Sequence, residues 1–304
     1  MMEQLVMFTG RNLKIYFRDK GAIFFSLLSM LIVIGLMMFF LGDMNVESVT
    51  ELLAQFPNRN NGADEKNAEL LILSWTCAGI LSINAVTVTL AAYSVMIKDR
   101  VSGKINSFYT SPVNRLTIAG GYVVAAWIAS VCVCVLTLAL TEVYGMIRGL
   151  AAFSFGTHLE LLGMIMVNSF TYAALMYGIA LIAKTEGAWS GIGTVIGTLV
   201  GFLGGIYIPI GALSETVSAI MKVTPIIYGT AMFRDIMTKD ILNTTFQGIP
   251  NEIVLEYCEV MGIRLTVLER EIGVAEEWLI LLICGTIFLI LGVCALKYSK
   301  KTDR

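Results

Sequence analysis

The chain has 304 residues, of which 57% are hydrophobic and only 14% are charged, and its formal net charge is −2. Soluble domains carry roughly 25% charged residues, so a water-soluble fold would leave much of this apolar surface exposed. The composition therefore indicates a membrane protein, and the slightly acidic balance gives no support to nucleic-acid binding.

The pattern of residues 1–20 predicts a helix lying on the membrane surface. Leu5, Leu13 and Phe17 share one face at helical spacing, whereas Arg11 and Lys14 share the opposite face. An apolar face with cationic residues opposite is typical of an interfacial amphipathic helix. The alternative is a solvated extension of the first span.

Six runs without Asp, Glu, Lys or Arg divide the rest of the chain. A charge at the centre of a span costs about 2.5 to 3.5 kcal/mol, so such runs predict transmembrane helices. The shortest run has 19 residues, enough to cross a hydrocarbon core about 30 Å thick. The predicted spans are residues 21–42, 70–97, 116–141, 161–183, 187–214 and 278–296. We therefore expect an all-α membrane protein with six transmembrane helices in one domain, residues 1–304.

Lys and Arg are distributed unevenly between the connecting segments. Four lie before the first span, four in residues 98–115 and four in the C-terminal tail, against two in residues 43–69 and one in residues 142–160. Cytoplasmic loops are enriched in these residues, so both termini and residues 98–115 are predicted to be cytoplasmic. Residues 215–277 are then external, with ten acidic and five basic residues.

Residues 98–115, KDRVSGKINSFYTSPVNR, form the most distinctive of the predicted cytoplasmic loops. Val101, Ile105 and Phe108 fall at helical spacing and predict a short helix with one apolar side. Such a helix is suited to docking on a partner protein. An ordinary solvated loop, held at the membrane surface by its charges, is the alternative that the pattern leaves open.

Polar side chains occur inside two of the predicted spans. Such residues usually face protein or a water-filled path rather than lipid. Hydrogen bonding between helices is the favoured interpretation, and lining of a translocation pathway is the other. The residues concerned are Asn84, Thr87, Ser94, Asn168 and Tyr172.

The fifth predicted span carries a strip of glycines at four-residue spacing, which allows another helix to approach closely. The glycines are Gly193, Gly197, Gly201 and Gly205.

Beyond the glycine strip, Pro209 is predicted to interrupt the helix. Ser214 is predicted to cap a short helix through Met221, and Pro225 to break the chain again. These breaks predict a re-entrant helical hairpin at the outer face, with an external surface hairpin as the alternative. Residues 240–277 predict a small external helical elaboration.

Catalytic and metal-binding patterns are not found in the sequence. The chain has one histidine, His158, and lacks HExxH, GxSxG and Walker A sequences, so we predict no catalytic residue, metal site or ATPase site. The charge-free spans also lack the ionisable residues typical of proton-coupled transporters. Uphill transport would therefore take its energy from a partner.

Together these features resemble the membrane-spanning permeases of type-2 ATP-binding cassette (ABC) exporters. The resemblance covers nearly the whole chain: the N-terminal helix, the six spans, the DRVSGKINSFYTSPVNR segment, and YIPIGAL followed by a proline-containing stretch. It implies that residues 98–115 hold a coupling helix that sits in a groove of an ATPase subunit. That role maps onto Asp99, Arg100, Gly103, Phe108, Ser111 and Pro112. Ile105 lies on the apolar side of the same segment. Val101 stands where family members often have an acidic residue.

The resemblance also implies the partners and the function. An ABC ATPase subunit would bind ATP and Mg, so this chain needs no cofactor of its own. A second permease chain, identical or homologous, would lie beside it. Both chains would contact the membrane lipid of a bacterial plasma membrane. The expected function is ATP-driven export of hydrophobic drugs, antimicrobial peptides or lipid-like molecules. The alternative is a non-transporting scaffold or sensor that partners another membrane protein, and a membrane enzyme is disfavoured.

Overall fold

A computed structural model describes residues 2–21, 23–24, 28, 31–32, 35, 42–57, 59–267 and 270–302. Within these residues the chain forms eleven α-helices and a two-stranded antiparallel sheet. The helices are α1 (Met2–Arg18), α2 (Gly42–Ala54), α3 (Asn61–Val101), α4 (Lys104–Tyr109), α5 (Arg115–Arg148), α6 (Phe155–Ile182), α7 (Glu186–Leu203), α8 (Glu215–Val223), α9 (Pro225–Thr245), α10 (Asn251–Val260) and α11 (Val274–Thr302). The strands are β1 (Leu265–Val267) and β2 (Arg270–Ile272), with Leu265 opposite Ile272.

Four of these helices are long and apolar enough to cross a membrane: α3, α5, α6 and the Val274–Ala295 part of α11. They coincide with four of the predicted spans, which confirms a multi-pass, predominantly helical membrane protein. Most of the predicted span 21–42 lies outside the described residues. Helix α7 has 18 residues and is therefore only about 27 Å long. The count of six spans stays a prediction.

Helix α3 is the central element of the bundle. Its 41 residues extend for about 60 Å, and it packs against α5, α6, α7 and α9. Most of its side chains between Leu70 and Ile97 are buried by these neighbours. The helix therefore connects the 98–115 segment at one end of the bundle with the loops at the other end.

Helix α1 forms where the sequence predicts it, and one of its sides is covered by the rest of the protein. Its side bearing Thr9, Asn12 and Tyr16 is buried, and the helix packs mainly against α5. Phe17, from the predicted membrane face, is 42% exposed, and the nearby Val6 is 65% exposed. The exposed apolar side is available to lipid, and the interfacial position of α1 stays a prediction.

The chain leaves α7 earlier than predicted. The helix ends at Leu203 because Gly205 takes the left-handed conformation, with φ of 63°, and the Ile206 N–H donates to the Gly201 carbonyl. This glycine termination is a common way to end a helix. The glycine termination precedes Pro209, so proline is not what ends this helix. The predicted limit at residue 214 is also wrong, because the helix ends at Leu203.

Helices α8 and α9 form the predicted pair around Pro225, with a bend of 91° between them. Ser214 precedes α8, but its side chain makes no capping hydrogen bond, and α8 continues to Val223. Pro225 begins α9, where its missing N–H removes no helical hydrogen bond. At 21 residues, α9 is longer than a half-span helix of about ten residues.

Helix α9 is buried within the bundle along much of its length. A Cβ placed on Gly229 would lie 2.5 Å from Asn168 Oδ1 and 3.3 Å from Ser82 Oγ, so α9 contacts both α3 and α6 closely at this point. The re-entrant course of the pair across one membrane leaflet stays a prediction.

A buried arginine holds the segment after α9 against the bundle. Arg234 is 0% exposed, and its guanidinium donates to the Gly205 carbonyl at 2.8 Å and the Met261 carbonyl at 3.1 Å. It also stacks 3.9 Å from the Trp75 ring centroid. The segment contains α10, where the sequence predicts a helical elaboration, and its external position stays a prediction. It also contains the paired strands β1 and β2, which the sequence does not predict.

Candidate coupling site

The 98–115 segment is a helix between two sharp turns. Helix α3 ends at Val101, and Gly103 takes a left-handed φ of 75° before α4 begins. A second turn leads to Asn114, whose side chain caps α5 by accepting a hydrogen bond from the Leu116 N–H at 3.0 Å. The predicted short helix is therefore present, and its orientation is fixed by the two long helices on either side.

Asp99, at the end of α3, lies at the centre of a buried polar cluster. Arg11 of α1 binds it through two hydrogen bonds, of 2.5 and 2.7 Å. The Tyr122 hydroxyl of α5 donates to the same carboxylate at 2.7 Å, and Asp99 is only 4% exposed. The hydrogen bond with Asp99 is the main cause that raises the pKa of Arg11 above its usual value. The cluster therefore joins α1, α3 and α5 through one carboxylate.

Aromatic rings surround this cluster. The Phe8 ring lies 5.1 Å from both the Phe108 and Tyr122 rings in edge-to-face geometry, and the Arg11 guanidinium lies 5.0 Å from the Phe108 ring centroid. A Cβ on Gly121 would lie 2.5 Å from the Phe8 ring. Helix α1 can therefore pack this closely because residue 121 has no side chain.

Arg100 has a different partner. Its guanidinium donates to the Ala180 carbonyl at 3.0 Å and the Ala183 carbonyl at 2.8 Å, at the C-terminal end of α6. Cations at this position satisfy free carbonyls and interact favourably with the helix dipole. Asp99 and Arg100 thus connect four helices, and neither is free to serve primarily as a contact with another protein.

The apolar side predicted for docking is largely used inside the chain. Ile105 is buried and 7% exposed, whereas Val101 is 50% exposed. Phe108 is half-buried beside Phe8, and Ser111 donates to the Phe108 carbonyl at 2.6 Å. Gly103 is half-buried at its turn.

The opposite side of α4 and the turn after it are exposed. We call this surface the α4 tip, and it consists of Lys104, Asn106, Ser107, Thr110 and Pro112. Pro112 is the one residue of the α4 tip among those to which the resemblance assigns the coupling role. Arg11 and Tyr122 are further residues of the site that sequence reasoning did not find, because each is distant in sequence from the loop.

The polar residues inside the spans mainly connect helices. Asn84 Nδ2 donates to Thr137 Oγ1 at 2.8 Å, and Trp189 Nε1 donates to Ser94 Oγ at 3.3 Å. Thr87 donates to the Asn84 carbonyl of its own helix at 3.4 Å. These contacts favour a packing role over pathway lining for Asn84 and Ser94.

Asn168 and Tyr172 are also buried between helices, at 1% and 0% exposure. Asn168 lies against Gly229, as described above. The lining of a translocation pathway by these residues stays a prediction.

The glycine strip is covered only in part. A Cβ on Gly193 would lie 3.2 Å from Leu90 of α3, and one on Gly201 would lie 2.3 Å from the Tyr207 ring, whereas Gly197 has no neighbour within 4 Å of that position. Gly205 lies beyond the end of α7. Close packing is therefore seen at the two ends of the helical part of the strip.

The fold and the site together define a multi-pass membrane protein with a structured loop at one end of its helix bundle. The sequence model of a family described as "ABC-2 family transporter protein" matches residues 53–294. Among curated proteins, none matches the chain. The family match covers most of the chain, so this protein belongs to the ABC-2 family transporter proteins, and the resemblance to type-2 ABC permeases is confirmed. It is a membrane permease subunit of an ABC transporter, and members of this family are transmembrane transport components.

Proposed function

We propose that this chain is the permease of a bacterial ABC exporter in which a separate ATPase subunit receives the α4 tip. The observation that carries the proposal is the geometry of the 98–115 segment, where a short helix is held firmly on its inner side and exposes polar residues on its outer side. Family membership supports an ATPase partner. ATP and Mg would be bound by that partner.

The contacts of the loop explain how movement of the ATPase would reach the spans. Asp99 binds α1 and α5 through Arg11 and Tyr122, and Arg100 binds the end of α6. A displacement of α4 would therefore shift the ends of several helices together. Such packed, hydrogen-bonded contacts carry energetic coupling between distant sites of a protein.

The character of the spans supports the proposed substrate class. No Asp, Glu, Lys or Arg occurs in the six charge-free runs of the sequence, so a pathway between them suits hydrophobic drugs, antimicrobial peptides or lipid-like molecules. The proposal includes a second permease chain across that pathway, both termini in the cytoplasm, and a bacterial plasma membrane. The distribution of Lys and Arg supports the sidedness.

Export predicts a phenotype for cells that lack the gene. Cells loaded with ethidium or with a fluorescent short-chain phospholipid should retain at least one of these probes longer than the parent strain, because outward transport is lost. Fluorescence retention after removal of external probe is the measurement, with complementation by the wild-type gene as the control. Equal retention of both probes in the deleted, complemented and parent strains would contradict the export function.

A further inference from the structure

A cavity lies at the end of the bundle opposite residues 98–115. It has a volume of about 160 Å³ and is lined by residues of α3, α5, α9 and the loop of residues 149–153. Its position is far along α3 from the coupling site, since Leu70 and Cys77 line it near the start of that helix. An engineered apolar cavity of about 150 Å³ in another protein holds benzene, so this cavity has room for a group of that size.

The wall of the cavity combines apolar side chains with polar ones. Cys77, Met237 and Ile241 contribute apolar surface. Ser74 also lines the cavity, is only 3% exposed, and its hydroxyl makes no hydrogen bond with any residue that the structure describes. Buried hydroxyl groups normally have a hydrogen-bond partner. The Ser74 hydroxyl is therefore available to a bound molecule.

Two carboxylates also line the cavity, Glu142 and Asp240. Glu142 accepts a hydrogen bond from the Phe153 N–H at 3.0 Å, and its other oxygen lies 2.9 Å from His158 Nε2. The Asp240 carboxylate is exposed and has no partner in the described part of the chain. Lys66 lies near the rim, with Nζ 3.7 Å from a Cβ placed on Gly149.

The arrangement combines apolar wall residues, a buried hydroxyl and an exposed carboxylate that pairs with no cation among the described residues. An ammonium group beside Asp240 would gain charge-assisted hydrogen bonds, while an attached ring would displace water from the apolar wall. An anion would instead face two carboxylates. The chemistry therefore favours a small organic cation with one apolar group.

We propose that this cavity is a binding site for small organic ammonium ions that carry an apolar group about the size of a benzene ring. The site belongs to a single chain and does not require the ATPase partner. Its failure would therefore leave the export function untouched, and the reverse also holds. It would allow the transporter to bind amphiphilic amines at the end of the bundle remote from the coupling helix.

Calorimetric titration of the purified full-length chain in detergent tests this proposal, with benzylammonium as the probe and benzyl alcohol as its neutral counterpart. We expect saturable binding of benzylammonium, with a dissociation constant at least about fivefold lower than that of benzyl alcohol, the gain of an ion pair at a partly exposed site. Asp240→Asn should weaken benzylammonium binding about threefold and leave benzyl alcohol unchanged.

Two further variants separate the cavity from general charge effects. Thr244 is exposed and lines the cavity, so Thr244→Trp should fold normally and weaken both ligands by about tenfold or more, by filling the space. Glu252→Gln removes an exposed carboxylate of α10 that does not line the cavity, and it should change neither affinity. Equal affinities for the two ligands, absence of saturable binding, or binding unaffected by Thr244→Trp would overturn the proposal.

Discussion

Replacing Arg11 with methionine is expected to lower the free energy of unfolding by about 3 kcal/mol, since Asp99 would remain buried without its cation. Asp99 is 4% exposed, and among the described residues it would keep only the Tyr122 hydroxyl as a side-chain donor. Helix α1 should also separate more readily from α3, because the two Arg11 hydrogen bonds join it to Asp99 of that helix. Thermal and denaturant unfolding of the purified chain in detergent, with protease sensitivity of residues 2–18, measures both effects.

The matched control for this change is Arg18→Met, which alters an exposed arginine of the same helix. It should change the free energy of unfolding by no more than about 0.5 kcal/mol. The double variant Arg11→Met, Asp99→Leu should recover part of the loss, because removing both partners leaves no uncompensated charge. A double variant as unstable as the sum of the two single variants would show that Arg11 and Asp99 do not act as a pair.

Replacing Arg234 with alanine is expected to lower the free energy of unfolding by about 3 to 5 kcal/mol, because it leaves an internal cavity and carbonyl groups without donors. The side chain is 0% exposed, and it bonds the Gly205, Met261 and Gly262 carbonyls while stacking on Trp75. The Met261 carbonyl would still accept from Trp75 Nε1 at 2.8 Å. Residues 246–267 should therefore become sensitive to protease at lower temperature than the helix bundle unfolds.

Arg264→Ala provides the comparison for Arg234. Arg264 is 43% exposed at its side chain and pairs with Glu271 at 2.8 Å, and a surface pair of this kind contributes about 0 to 1 kcal/mol. Arg234→Lys should be intermediate, since lysine keeps a charge but cannot span the same carbonyl groups. Equal losses for Arg234→Ala and Arg264→Ala would contradict the clamping role of Arg234.

The helix bundle could be predicted because its signal is local. Charge-free runs of sufficient length identify α3, α5, α6 and α11 without knowledge of their neighbours. The end of α7 was not predicted correctly, because Pro209 is a more obvious helix breaker in the sequence than Gly205. The left-handed conformation of Gly205 depends on two contacts. The Arg234 guanidinium donates to the Gly205 carbonyl from a distant part of the chain, and the Ile206 N–H donates to the Gly201 carbonyl.

The coupling site could be predicted only in outline. Helical spacing of Ile105 and Phe108 correctly indicates an apolar side on α4, but such a pattern does not say which surface covers it. In the structure the covering surface includes Phe8 of α1, and the contact depends on Gly121. Arg234 was missed for a related reason, since a charge in a polar segment suggests exposure unless its distant carbonyl partners are known.

The measurement that tests the central claim most directly is co-purification of ATPase activity with this chain from its host. A double variant, Ser107→Trp and Thr110→Trp, changes two exposed residues of the α4 tip, and the control variant, Glu252→Trp and Glu256→Trp, changes two exposed residues of α10. We expect ATPase activity to co-purify with the wild type and with the control variant. The co-purified activity should be about tenfold or more lower with the α4 tip variant, while the melting temperature of that variant stays unchanged. Failure of any ATPase to accompany the wild type, or equal amounts with both variants, would contradict the account.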